Sequence, residues 1–401
     1  MLGDKWGTNE MALVRHPRRG VGRGLIVAAA GLLAMAGLVA SGATAGAAAH
    51  HRGSAPNKSC TAGHAPARIG HAGGFVRPAA LRGSGCVVPT DGPANGLPPL
   101  LYHGGPVMPG SSSSRIVVTP IYWTPTGHPM TAAYKRIITK YLHDVASQSG
   151  KHTNIYSTTN QYTGTNGTSG YWITQGPAIV DTNPLVSDCT VGANDHTGIY
   201  ADNTGYNACV SDNTIISETE AVRTAHSLPA DYLHIYVLFL PKHVESCFLP
   251  GSSTTNNQCT INNYPTATYC AYHGQNTATG EVYANMPFPV YQSPVGFTCG
   301  TDARFPQIQS PNGNPDADVE ISPTSHEIEE AITDPDVNTG WYDAAGFENG
   351  DECAYIYGAT SGTPGALYNQ TIDGRHYITQ EEFSNINFAA TGGQGGCLQF
   401  E

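Results

Sequence analysis

From residue 131 to 148 the chain reads TAAYKRIITKYLHDVASQ, with apolar side chains at Tyr134, Ile137, Ile138, Tyr141, Leu142 and Val145. Steps of three and four residues place these on one stripe, which predicts a helix with a core-facing side. Thr131 is the expected N-cap, since its hydroxyl can accept from an amide of the first turn. A different pattern precedes it. RIVVTPIYW (115–123) is β-branched and aromatic and predicts a strand. Pro120 has no N–H for a ladder, so an edge position or a bulge is expected there. DYLHIYVLFLP (231–241) is apolar at every position from Ile235 to Leu240, as in a mid-sheet strand covered on both faces. SETEAVRTAHSLP predicts a short helix capped by Ser217, with Glu218 and Glu220 in its first turn. Short strand-like pieces (YWITQ, TGIY, NTII) are scattered through the Thr/Asn/Gly/Tyr-rich stretch from 152 onward. Helical and strand periods do not alternate regularly. The fold class expected for residues 99–401 is therefore α+β: one main domain with a mixed sheet, a few helices and long disulfide-braced loops.

The N-terminal pattern is of another kind. Arg15, Arg18, Arg19 and Arg23 precede LIVAAAGLLAMAGLVA (25–40), and small residues follow, with A-x-A sites ending at Ala45 or Ala49. This predicts a signal peptide over residues 1–45, started at Met1 or Met11, and a secreted, extracellular product with no membrane association after cleavage. A membrane anchor is the competing reading, but the run is Ala/Gly-rich and ends in cleavage-type residues. Residues 46–98 are rich in Gly, Ala, Pro and His without any period, and read as a disordered lead-in closed into a loop by Cys60 and Cys86. None of the 10 cysteines forms a C-x-x-C pair, so an exported chain with this even count predicts up to five disulfides. Cys60 with Cys86 and Cys189 with Cys209 are the candidate neighbour pairs.

Composition agrees with export. Charged residues make up only 12%, while Gly (47), Pro (28) and Tyr (21) abound. The formal net charge of −12 excludes nucleic acid and an anionic membrane surface as partners. Protein or peptide, or a cell-wall polysaccharide, remain.

The chemistry concentrates in SHEIEEAITDPD (325–336). On a helix His326 and Glu330 lie on one face at i and i+4 and can reach one ion, while Glu327 beside them can hold a water and take its proton. This H-E-x-x-E arrangement replaces the second imidazole of a metallopeptidase helix by a carboxylate, which zinc accepts. A third ligand is expected downstream, where WYDAAGFENGDEC (341–353) offers Asp343, Glu348 and Asp351, with Glu348 or Asp351 favoured and Cys353 placed to pin the loop. His376 is a further candidate ligand or oxyanion stabiliser. A reading without metal also exists. Thr324 and Glu327 form a T-x-x-E capping box, and Pro323 suits a first turn, so a short acidic helix ending near Asp334 explains itself. Calcium is the second ion considered: Asp334, Asp336 and Asn338 resemble the start of an EF-hand loop, but Gly340 comes one position late and Ala345 stands where the closing glutamate belongs.

LYHGGPVM (101–108), RIVVTPIYWTP and the Tyr134–Val145 helix resemble the start of the phosphate-induced/EXORDIUM family of secreted proteins. YVLFLP with CAYHGQ (236–275) looks like that family's central strand and C-x-x-H-G segment, and SHEIEEAITDPDVNTGWYD with ENGDEC like a motif of its microbial relatives. The resemblance implies secretion, fold unity from about 100 to 355, and a meaningful H-E-x-x-E block; its plant members belong to the apoplast and have no established chemistry. Two functions follow as expectations. One is a secreted zinc-dependent hydrolase of peptide bonds. The other is a non-catalytic extracellular or wall-associated protein whose acidic helix is structural.

Overall fold

The computed structural model describes residues 94–191, 200, 202–248, 251–252, 259–260, 269–290, 299 and 308–401, together with the backbone of a strand at 72–75. The expected signal peptide, the Cys60–Cys86 loop and TGIY up to Ile199 lie outside the described residues. The fold is α+β, with a mixed sheet and several helices, as the patterns predict.

Seven strands form the main sheet: β1 (Ala72–Phe75), β2 (Ile116–Trp123), β3 (Ile173–Gln175), β4 (Ile179–Asp181), β5 (His234–Phe239), β6 (Ala271–Asn276) and β7 (Glu281–Met286). Their order is β1-β6-β7-β5-β2, with β3 and β4 sharing the far side of β2. The two links among β1, β6 and β7 are antiparallel, and every link from β7 onward is parallel. The 46–98 segment thus contributes a strand, β1, to the sheet.

β5 lies at the centre, as its unbroken apolar run predicts. Ile235, Val237 and Phe239 join the core on one face, and Tyr236, Leu238 and Leu240 join the core on the other, which is the two-residue period of a strand buried on both sides. β2 is a correction. It is interior, with β5 on one side and β3 and β4 on the other. Ile116 N–H donates toward β3, to the Trp172 carbonyl at 2.8 Å, and Val117 N–H toward β5, to the Leu233 carbonyl at 2.7 Å. By alternation, the N–H that Pro120 lacks would point to the β3 side. There the neighbour is interrupted: β3 pairs with Ile116–Val118 and β4 with Ile121–Trp123. The proline does not sit at an edge; it sits opposite a broken strand.

Helix α1 (Ala132–Ser147) starts at Thr131, whose side chain accepts from the Tyr134 amide at 3.1 Å. Its stripe packs on the Val237 face of the sheet. Helix α2 (Asp212–Ala225) covers the opposite face through Ile215 and Val222. It begins earlier than expected: NTII is its first turns rather than a strand, Ser211 is the N-cap residue, and Ser217 lies inside, its hydroxyl donating to the Asn213 carbonyl at 2.7 Å.

Helix α3 (Pro315–Thr333) is the second correction. Asn314 caps it, its side chain accepting from the Ala317 amide, with Pro315 in the first turn. Pro323 is therefore internal, and the Thr324 hydroxyl donates back to the Glu320 carbonyl at 2.7 Å instead of capping. Every residue from Ala317 to Thr333 is buried, so packing against α1, β6 and β7 sustains the helix through a proline that local rules place at a start. The helix ends at Asp334, as expected before Pro335.

Four disulfides join Cys189–Cys209, Cys247–Cys259, Cys270–Cys299 and Cys353–Cys397. Among the described residues no helix is long and apolar enough to cross a membrane.

Candidate metal centre

Because α3 is buried all round, the side chains of the H-E-x-x-E run cannot point to water; they point at β6 and at a short helix, α4 (Asn349–Glu352). His326 Nε2 lies 2.9 Å from Glu330 Oε1, the i, i+4 meeting that the spacing predicts. The 341–353 loop comes to the same place. Asp351 Oδ1 is 3.7 Å from His326 Nε2, and the Asp351 amide donates to Glu330 Oε1 at 3.0 Å. The Cys353–Cys397 disulfide pins the end of that loop, as anticipated. Gly350 permits the approach: a Cβ there would stand 2.6 Å from His326 Nδ1. The Glu348 amide donates to Asp351 Oδ2 at 3.3 Å, which orients the turn that carries both acids.

The residue that spacing does not reveal is His273. It sits on β6 next to Tyr272, which faces the α2 side, so the strand's alternation turns His273 toward α3. Its Nδ1 lies 3.4 Å from Glu327 Oε2 and 3.5 Å from Glu330 Oε2, and its Nε2 lies 3.8 Å from Glu348 Oε1 while donating to the Asp334 carbonyl at 3.1 Å. The available signal was the CAYHGQ block, which marks the segment but assigns it no role. Two groups of three residues consequently have ligand atoms within 4.8 Å of one another and could hold a metal: His326, Glu327 and Glu330, and His273, Glu330 and Glu348. Glu330 belongs to both.

Six side chains, His273, His326, Glu327, Glu330, Glu348 and Asp351, are at most 1% exposed. Burying charge is costly unless it is compensated, and these carboxylates meet two imidazoles at 2.9–3.8 Å. Burial opposes a charged imidazole, yet Glu348, Glu327 and Glu330 hold His273 well above its ordinary value; Glu330 does the same to His326 against the same penalty. Burial also opposes ionisation of Glu330, but His326 and His273 overcome it and bring that carboxyl down to about 2. Burial raises Glu327. Four carboxylates and two imidazoles are thus gathered within one buried cluster. Nitrogen and oxygen donors this close together could hold a divalent cation.

Other candidates stand elsewhere. Asp343 accepts from the Ala345 and Phe347 amides at 2.7 Å each and from the Leu97 amide, so it shapes the turn before α4. His376 is exposed and stacked on Tyr368 at 3.6 Å, away from the cluster, because the hairpin 370–377 carries it outward. Asp334 spends its carboxylate on the amides of Asn338, Thr339 and Gly340, closing the turn that was considered for calcium. Two further buried carboxyls flank the cluster. Glu329 and Glu382 are both raised well above their ordinary range by burial, and Glu382 accepts from the Asn349 and Gln380 side-chain amides. No protein-family model, no curated protein and no solved structure matches the chain.

Proposed function

We propose that the protein is a secreted, zinc-dependent hydrolase acting on peptide bonds. The observation that carries the reading is the arrival of Glu348 and Asp351, from a loop separate in sequence, beside the His326–Glu330 pair. His326, Glu330 and Asp351 would hold the ion from one side, with His273 and Glu348 reaching Glu330 from the other. A zinc ion bound there supplies Lewis acidity toward a carbonyl oxygen and toward water. The chain's own contribution is a base: Glu327 is raised by burial, which improves its capacity to take a proton, while His273 Nδ1 at 3.4 Å orients its carboxylate and opposes that rise. Export is supported by the Arg-then-apolar N-terminal pattern, by four disulfides and by the resemblance to a secreted family.

The test is metal analysis of protein purified without added zinc, with a mixed peptide library as substrate. About one equivalent of metal and chelator-sensitive cleavage are expected. Cleavage should be lost in Glu327→Gln, and metal in His326→Ala. If His326→Ala changes neither metal content nor stability, the centre does not exist. One observation favours a second reading: all six side chains are closed off from solvent, as in structural metal sites, whereas a catalytic site keeps a position open. A wall-associated, non-catalytic protein would retain metal and lose stability on chelation, and cleave nothing.

A further inference from the structure

We propose that a cleft between α1 and the broken strand β3/β4 binds a small organic acid, one anionic headgroup on a ring-sized apolar body. The cavity measures about 340 Å³ and is lined by Tyr122, Lys135, Arg136, Thr139, Lys140, His143, Gln175, Ala178 and Val180. None of its lining residues belongs to the metal centre, and the proposal is independent of that centre's reading.

Its origin is traceable to sequence. Pro120 leaves the β3 side of β2 without a donor, the neighbouring strand breaks there, and the two sides of the break supply Gln175 from the end of β3, Ala178 from the gap and Val180 from β4. Tyr122, 1% exposed, closes the cleft from the core side, its hydroxyl donating to the Lys135 carbonyl at 3.1 Å and lying 2.8 Å from the Thr139 hydroxyl. Val180 is 52% exposed on this outer strand. Tyr122, Ala178, Val180 and the aliphatic stems of the lysines thus give the cleft an apolar wall.

The charge is anomalous for this protein. The chain has 31 acidic against 19 basic residues, yet three of those 19, with His143, line this cleft, and no acidic residue does. Lys140 is committed to Asp144, which also meets His143 Nδ1 at 3.3 Å, Arg375 at 3.5 Å and the Tyr377 hydroxyl. Lys135 and Arg136 have no ion-pair partner among the described residues. A guanidinium and an ammonium beside the apolar surface of Ala178 and Val180 suit a carboxylate or another oxyanion carried on a ring-sized apolar body. The volume lies at the lower end of ligand cavities, which limits the occupant to one small molecule.

Calorimetric titration of the full chain at low salt, with four probes, tests this. Benzoate has head and body, acetate and inorganic phosphate have the head alone, and benzyl alcohol has the body alone. Saturable benzoate binding is expected, about tenfold tighter than acetate or phosphate and weakened by salt, with no binding of benzyl alcohol. Lys135→Gln with Arg136→Gln should weaken benzoate at least about tenfold, and Ala178→Trp should block it by filling the cavity, both with unchanged melting and metal content. Absence of saturable benzoate binding overturns the proposal. So does phosphate binding as tight as benzoate, or binding indifferent to the double substitution.

Discussion

The two faces of the central sheet bury acidic groups in opposite ways. Under α2, Asp212 accepts from the hydroxyls of Tyr272 at 2.9 Å and Tyr283 at 2.6 Å, and Glu281 pairs with Arg223. These two acids have neutral donors or a cation beside them, and the face is held by packing of Leu238, Tyr236 and Val222. Under α3, carboxylates outnumber the imidazoles that meet them, and Glu330 is claimed by both His273 and His326. On one face two acids are met singly by groups the chain supplies. The other has the composition of a coordination shell, and that contrast, more than the H-E-x-x-E spacing, argues for a cation.

Breaking the α3 face chemically should have the largest effect. Glu327→Gln is expected to lower kcat/KM for a peptide substrate by about 10²–10⁴-fold while metal content and melting temperature hold, because the base is removed and the proposed ligands His326, Glu330 and Asp351 stay in place; loss of metal in this variant would make Glu327 a ligand instead. Chelation comes next. With the ion at about 1,000 times its Kd, stability should fall by about 4 kcal/mol on its removal, read as the shift between urea unfolding curves of loaded and chelated protein. The α2 face should not respond to either treatment.

Gly350→Ala sharpens the comparison by leaving every donor in place. The added Cβ presses on the His326 ring and should cost about 10–100-fold in metal affinity, measured by competition with a chromophoric chelator. On the other face, Tyr272→Phe removes one donor from Asp212 and should cost about 1–3 kcal/mol of stability with metal content unchanged. A loss of metal in that variant would show that the two faces are not independent.

The last expected effect is a pH dependence. Burial, opposed by Arg223, raises Glu281 to about 7 from an ordinary value near 4.5. The folded state therefore binds this proton more tightly than the unfolded state. The contribution is whole below about 4.5 and is lost as pH rises toward 7. Glu281→Gln should flatten that part of the stability profile, and a profile unchanged by the substitution would remove Glu281 as its source.

What the chain determined locally is what repeats at short range. The α1 stripe and its Thr131 cap, the buried strand 234–239 and the meeting of His326 with Glu330 all follow from residues within a turn or two of one another. The Cys189–Cys209 pair was legible for the same reason. The start of α3 was not, because a proline and a T-x-x-E run give an authentic local signal that burial of the entire helix overrides. Pro120 read correctly as a missing donor but not as an interior residue, since the gap that accommodates it belongs to another strand. His273 lay in a segment the sequence marks, but its role there was out of reach. It joins the centre only because β6 packs under α3, and side chains so far apart in sequence leave no periodicity by which to find one another. Short-range order belongs to the backbone's own geometry; the cluster of buried acids and imidazoles exists only once packing has brought α3, β6 and α4 together and excluded water from them.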